Sequence, residues 1–153
     1  MYNAQLDPNI NFIPVLKFKK THDLAKLPTK NNESDTGYDV YSVEDKVIPA
    51  RGSAVVEVGL KFASIPEGYW IKVESRSGLG FKHGIMSHPG IIDCGYRGDA
   101  GVKLYNLTDV LYIVKTGDRI AQFAIYFNIS MPIDWGEAEE SNRGEKGFGS
   151  SGK

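Results

Sequence analysis

Apolar residues in this chain come in short runs separated by glycine and proline. The runs are IPVLKFKK (13–20), YDVYSV (38–43), AVVEVGLKF (54–62), YWIKVES (69–75), GVKLYNL (101–107), LYIV (111–114) and RIAQFAIYF (119–127). Several alternate. Trp70, Lys72 and Glu74 are set against Ile71 and Val73, the period of two that marks a half-buried strand. Apolar residues nowhere recur at helical spacing for three turns. SGLGFKHG (77–84) is expected to form one short helical turn, limited by its glycines. Seventeen glycines and seven prolines supply the turns between runs. The pattern predicts an all-β fold of sandwich or barrel type in one domain, residues 1–135. From Trp135 the apolar pattern fades, and residues 136–153 read as an extended C-terminal arm.

Composition narrows the classes. A chain of 153 residues, 41% hydrophobic and 24% charged, suits one soluble domain with a sizeable core. A net charge of −1 supplies no basic field, so neither nucleic acid nor membrane is expected as a partner. The single cysteine, Cys94, excludes a disulfide framework. His22, His83 and His88 show no metal-ligand spacing with it. MYNAQLDPNI has neither a basic nor an apolar leader region, and IAQFAIYF is too short to span a bilayer. A cytoplasmic protein is expected, with the nucleus as the other open compartment.

Candidate chemistry lies in five stretches: SDTGYDVYS (34–42), SRSGLGFKHG (75–84), PGIIDCGYRGDAGV (89–102), GDRIAQF (117–123) and RGEKGFGSSGK (143–153). The last contains GFGSSGK, which fits the first seven positions of a phosphate loop. No Ser/Thr or helix follows Lys153 in the sequence, so that loop is not expected to operate. A solvated tail suits the composition, but Phe148 is a costly group to leave in one. Taken singly, the other stretches read as turns or surface loops, GDR as a turn entering a strand. Residues 89–102 are less easily reduced to structure. Gly95 or Gly98 can turn a hairpin there, while Gly90 and Gly101 allow backbone to approach a ligand. Asp93 falls in an apolar strand segment, where a carboxylate needs a partner or a task.

Together and in this order, the five stretches resemble the five motifs of the trimeric dUTP pyrophosphatase (dUTPase) family. The likeness runs from about Asp35 to Lys153. It implies a jelly-roll-like β-barrel and hydrolysis of dUTP to dUMP and pyrophosphate by water attacking the α-phosphorus. By the same resemblance Asp93 is the catalytic base, and Tyr96 packs on the deoxyribose. Backbone from Gly90 through Ile91 and Ile92 to Gly101 reads the uracil edge. Arg76, Ser77, Gly78 and Gln122 hold the phosphates. Arg143 pairs with the γ-phosphate, Phe148 stacks on uracil, and Gly149, Ser150 and Ser151 wrap the terminal phosphate. Mg²⁺ rides on the substrate phosphates with no direct protein ligand, and Asp39 either meets the ion's waters or braces its loop. The resemblance further implies a homotrimer with sites shared between subunits and an arm, 136–153, that is mobile when empty and closes over bound nucleotide. Ser75 stands where many members have proline, His88 and Pro89 where small residues are common, and Ser151 where threonine is frequent.

Two other functions fit the same fold. A dCTP deaminase needs a glutamate on the strand after the third motif, where this chain has Lys103. A dUTPase-like regulator that only binds a partner would not need Asp93, Tyr96, Arg143 and Phe148.

Overall fold

Eleven strands and one short helix form between Lys17 and Phe127 in the computed structural model of the chain, which describes residues 13–145. The strands are β1 (Lys17–Lys20), β2 (Gly37–Tyr41), β3 (Lys46–Ile48), β4 (Ser53–Val56), β5 (Leu60–Ser64), β6 (Tyr69–Glu74), β7 (Ile85–Ser87), β8 (Gly90–Ile92), β9 (Val102–Asn106), β10 (Tyr112–Val114) and β11 (Arg119–Phe127). Helix α1 (Ser77–His83) joins β6 to β7.

The alternation in YWIKVES is realised in β6. Ile71 and Val73 are buried, and opposite them in register lie Ile125 and Phe123 of β11. On the other face Trp70 stacks on Tyr126 with ring centroids 4.8 Å apart, and Lys72 pairs with Glu74. β6 and β11 form the centre of a four-stranded antiparallel sheet ordered β2-β11-β6-β8. A second sheet, β4-β9-β7, turns Val56, Val102, Leu104 and Ile85 inward. The two-stranded sheets β1-β5 and β10-β3 add Phe62, Ile48 and Val114 to the same core. Phe18, Phe62 and Phe123 meet there with centroids 4.9–6.4 Å apart. Each fully buried side chain of this size contributes about 1.5–3 kcal/mol, which makes the core the main source of stability. The fold is of the jelly-roll kind, but among the described residues the ladders stay in four separate sheets and do not close into one barrel.

All seven apolar runs contain a strand. AVVEVGLKF contains parts of two, because Gly59 at φ 66° turns the chain between β4, which pairs with β9, and β5, which pairs with β1. The strands β3, β7 and β8 escape a periodicity reading, since three residues cannot display a period. SGLGFKHG forms seven helical residues rather than a single turn. Gly84 ends them at φ 63°, its N–H donating back to the carbonyls of Gly80 and Leu79. Among the described residues, no helix is long and apolar enough to cross a membrane.

Polar side chains fix the loops. The buried Asn106 amide donates to the carbonyls of Ile48 and Val110 and accepts from the N–H and hydroxyl of Thr108. Asp45, the residue before β3, accepts from Lys115 Nζ at 2.8 Å and from the Thr116 N–H at 2.9 Å. These donors, Lys115 first, hold the Asp45 carboxyl down to about 2 from its ordinary 3.8. A depressed carboxyl stabilises the fold above its unfolded value of about 3.9, and that stabilisation is lost as pH falls toward 2. Asp45→Asn is therefore expected to show a flatter melting-temperature profile between about pH 4 and pH 2 than the parent chain. Parallel profiles for the two proteins would remove this clamp from the acid response.

Candidate active site

The third motif builds the first half of the site. Among the described residues β8 is an edge strand, hydrogen-bonded to β6 on one side only. The His88 N–H still reaches the Lys103 carbonyl at 2.8 Å. Beyond that bond β8 and β9 part, and a cavity of about 280 Å³ opens between them. It is lined by Gly90, Ile91, Ile92, Asp93 and Tyr96 on one side, and by Gly101, Val102 and Lys103 on the other. A strand edge without a partner presents N–H and C=O groups at fixed spacing, as a backbone reader of a flat polar ring requires. Gly90 leaves room: a Cβ there would only touch Val73 at 3.7 Å. Gly101 is tighter, with Val55 at 3.3 Å from such a Cβ.

The turn that follows is held firmly. The Tyr96 N–H donates to the Asp93 carbonyl at 3.0 Å, and Arg97 Nη1 donates to the carbonyls of Cys94 and Tyr96, both at 2.7 Å. The Tyr96 hydroxyl donates to the Asp99 carbonyl at 3.1 Å, and its ring meets the edge of Phe62 at 5.8 Å. Gly95 does turn the chain here, as one of the two central residues of the Asp93–Tyr96 turn, and neither it nor Gly98 needs a left-handed backbone. Gly98 is required for room, because a Cβ on it would collide with the Tyr96 ring. Asp93 lies not inside an apolar strand but one residue past the end of β8, and it is exposed at the cavity rim. The strand is shorter than its apolar sequence suggests, since the Asp93–Tyr96 turn ends the pairing.

The first, second and fourth motifs build another cavity, about 500 Å³ and polar, lined by Thr36, Gly37, Asp39, Arg76, Ser77, Arg119 and Gln122 among others. Arg76 is the extended residue before α1, at φ −87° and ψ 131°. Ser77 and Gly78 open the helix, where the first N–H groups have no intrahelical acceptor. Gln122 lies opposite Asp39 on one neighbouring strand and Glu74 on the other, and its Nε2 donates to the Ser75 carbonyl at 2.9 Å. Gly37 makes this possible, since any side chain there would strike the Gln122 amide. Asp39, 15% exposed, accepts from Arg76 Nε at 2.8 Å and from Arg119 Nη1 at 3.3 Å. Both of its oxygens thus face guanidinium groups.

The two cavities share no lining residue. Val73 and Phe123 line the first and Gln122 the second, so the β6–β11 ladder divides them. Arg143 sits in an exposed turn at Ser141–Gly144 and lines neither. Phe148, Gly149, Ser150 and Ser151 lie outside the described residues. Sequence reasoning missed Arg119. Strict alternation puts Arg119 and Gln122 on opposite faces, but the register shifts between Arg119 and Ala121, and both reach one cavity. A cation three residues before Gln122 was the only signal available.

A jelly-roll β protein with a backbone-edged cavity and a separate arginine-bearing one defines a class of small all-β proteins equipped for anionic ligands with a flat polar ring. Comparison with known proteins makes the class specific. The family model for dUTPase matches residues 23–152. A rice (Oryza sativa subsp. japonica) deoxyuridine 5'-triphosphate nucleotidohydrolase is 44% identical over 140 residues, 91% of this chain and 81% of that protein. A Staphylococcus bacteriophage 80alpha dUTPase mutant with dUpNHpp superposes with a TM-score of 0.79 at 31% identity, over 91% of this chain and 99% of that one. A dUTPase mutant from phage phi11 of S. aureus, described for its coordination of a structural Mg(II) ion, gives 0.72 at 27% identity over 81% of this chain and 97% of its own. The chain belongs to the dUTPase family.

Proposed function

We propose that this chain is a dUTP diphosphatase, cleaving dUTP to dUMP and pyrophosphate. The observation that carries the reading is the edge of β8 facing a cavity with Asp93 at its rim. Uracil carries an N3–H donor between two carbonyl acceptors. A rigid backbone edge matched to that pattern leaves buried groups unpaired against cytosine, and such mismatches discriminate strongly. Asp93 takes the proton of a water directed at the α-phosphorus. Arg76, Ser77, Gly78 and Gln122 hold the phosphate chain with a cation, a hydroxyl, helix N–H groups and an amide. Lys103 lines the base cavity where a deaminase would need a carboxylate, which disfavours that rival.

Mg²⁺ fits this donor set as an ion carried by the substrate. Among the described residues no group of three or more His, Cys, Asp or Glu side chains forms a metal cage, and both Asp39 oxygens are engaged by arginines. Bound to the phosphates, the ion supplies charge neutralisation.

The site is assembled between the subunits of a homotrimer, with the hairpin from one chain and the arm, 136–153, from another. Two features support this. The base and phosphate cavities of a single chain stand apart. Beyond Asn128, whose N–H makes its bond to the Gly68 carbonyl, every second residue is apolar and exposed: Ile129, Met131, Ile133 and Trp135, the last two at 99%. A chain segment with such an apolar row in water is built to be covered. Arg143 then pairs with the γ-phosphate, Phe148 stacks on uracil, and Gly149, Ser150 and Ser151 enclose the terminal phosphate.

A pyrophosphatase-coupled assay across dUTP, UTP, dTTP and dCTP tests the activity. Phosphate release is expected with dUTP alone at an appreciable rate. Equal turnover of dCTP or UTP, or none of any, would reject it. Tyr96→Ala opens space where the ring now meets Phe62. It is expected to slow dUTP hydrolysis and to narrow the preference over UTP, read as the ratio of the two kcat/KM values. An unchanged ratio would make Tyr96 purely structural.

A further inference from the structure

Backbone reading of the base leaves one side chain at that cavity without a task. His88 lines it beside Lys103, at the end where β8 and β9 are still joined by the His88 N–H and the Lys103 carbonyl. That bond uses the His88 N–H, and Pro89 has none. The main chain therefore offers the cavity no free donor at residues 88 and 89. The His88 ring can supply one. Its Nδ1 lies 3.0 Å from the Tyr105 hydroxyl, with the two rings 5.9 Å apart. Lys103 Nζ stands over the face of the same tyrosine, 5.4 Å from the ring centre. An ammonium there polarises the phenol toward donating its hydrogen. A neutral imidazole has one donor and one acceptor, so a hydroxyl donating to Nδ1 leaves the ring hydrogen on Nε2. Among the described hydrogen bonds Nε2 is not used.

We propose that His88 is a specificity-determining residue of the base cavity, its Nε2–H donating to the exocyclic oxygen that uracil carries opposite its sugar. The proposal rests on the dUTP diphosphatase reading for the identity of the ligand. Gly90–Ile92 forms β8, with Asp93 just past one end of the strand and His88 before the other. N1 and C4 are opposite corners of a pyrimidine ring. A base whose N1 carries the sugar and phosphates toward Asp93 therefore turns its C4 substituent toward His88. In uracil that substituent is a carbonyl oxygen, an acceptor for Nε2–H. In cytosine it is an amine, which sets donor against donor. Tyr105 is a positioning residue in this scheme, since it decides which ring nitrogen bears the hydrogen.

Calorimetry of dUMP and dCMP on the full chain, beside kcat/KM for dUTP and dCTP, tests the assignment through the preference for uracil over cytosine. His88→Ala is expected to lower that preference by roughly three- to tenfold, the worth of one neutral hydrogen bond. The ratio of dUTP to UTP turnover is expected to stay at the parental value, because the sugar is read elsewhere. His88→Gln, whose amide keeps a donor, is expected to restore part of the uracil preference. Tyr105→Phe keeps the ring and removes the hydroxyl, and is expected to lower the preference in the same direction by a smaller factor. An unchanged or widened preference in His88→Ala at the parental melting temperature overturns the proposal. Lys103 is the rival donor at this end of the cavity, so a preference lost in Lys103→Met and kept in His88→Ala overturns it as well. If His88→Ala does not fold, Tyr105→Phe decides: a folded variant with the parental preference means that the ring is not set by the hydroxyl and the assignment fails. A parent chain that prefers dUMP to dCMP through His88 but does not hydrolyse dUTP rejects the enzymatic reading and leaves this one standing. A parent that hydrolyses dUTP, with its preference intact in His88→Ala, does the reverse.

Discussion

Asp93→Asn is expected to fold, to bind dUTP, and to hydrolyse it at least about a hundredfold more slowly, the usual scale for a lost general base. The fold does not lean on the carboxylate. The turn after β8 is held by the Asp93 carbonyl, by Arg97 and by the Tyr96 hydroxyl, and asparagine leaves all of these in place. Asparagine also keeps the size and much of the hydrogen bonding of aspartate while being unable to accept the proton of an attacking water. The loss should therefore fall on kcat, with nucleotide affinity retained. Binding of a non-hydrolysable dUTP analogue, measured beside the rate, separates the two. Turnover within a few-fold of the parent would take Asp93 out of the mechanism.

Deletion of residues 143–153 should be almost as damaging and should be reparable in trans. The last strand, β11, ends at Phe127, and the described residues after Asn128 form no further strand, so removing the final segment should leave the body folded. If hairpin and arm of one site come from different chains, the deletion variant supplies an intact Asp93 and the Asp93→Asn variant supplies an intact arm. Co-expressed in equal amounts and assembled at random, they should yield wild-type turnover at about a quarter of sites, a consequence of cyclic symmetry alone. Each variant by itself should be nearly inactive. Mixed trimers without recovered hydrolysis would show that the arm serves its own chain's hairpin. A failure to form trimers at all would reject the shared-site architecture directly.

Much of this was present in the chain before folding. The alternation Trp70 to Glu74 fixes which face of β6 is buried, because side chains on a strand point to opposite sides in turn. Glycine and proline spacing specifies short strands and no long helix. Five motifs in order identify the family, since the residue types needed to hold a nucleotide are few and their order along the chain is fixed. What the sequence determined is therefore local conformation, one-dimensional pattern and membership of the dUTPase family.

Only the tertiary structure decided how those residues meet. Asp93 leaves its strand because the Asp93–Tyr96 turn stops the pairing of β8, an event set by hydrogen bonds within the loop and not by the apolar character of Ile91 and Ile92. Gly37 and Gly98 look like ordinary turn glycines, yet each clears space for one particular side chain, Gln122 and Tyr96, that arrives from elsewhere in the fold or loop. Arg119 joins Arg76 at Asp39 through a register shift that no alternation reveals, and 37 positions of chain separate Asp39 from Arg76. A periodic pattern states which way a side chain points. It carries no information on which distant side chain fills the same volume, because that depends on strand order and register, and these are fixed by the packing of the whole core.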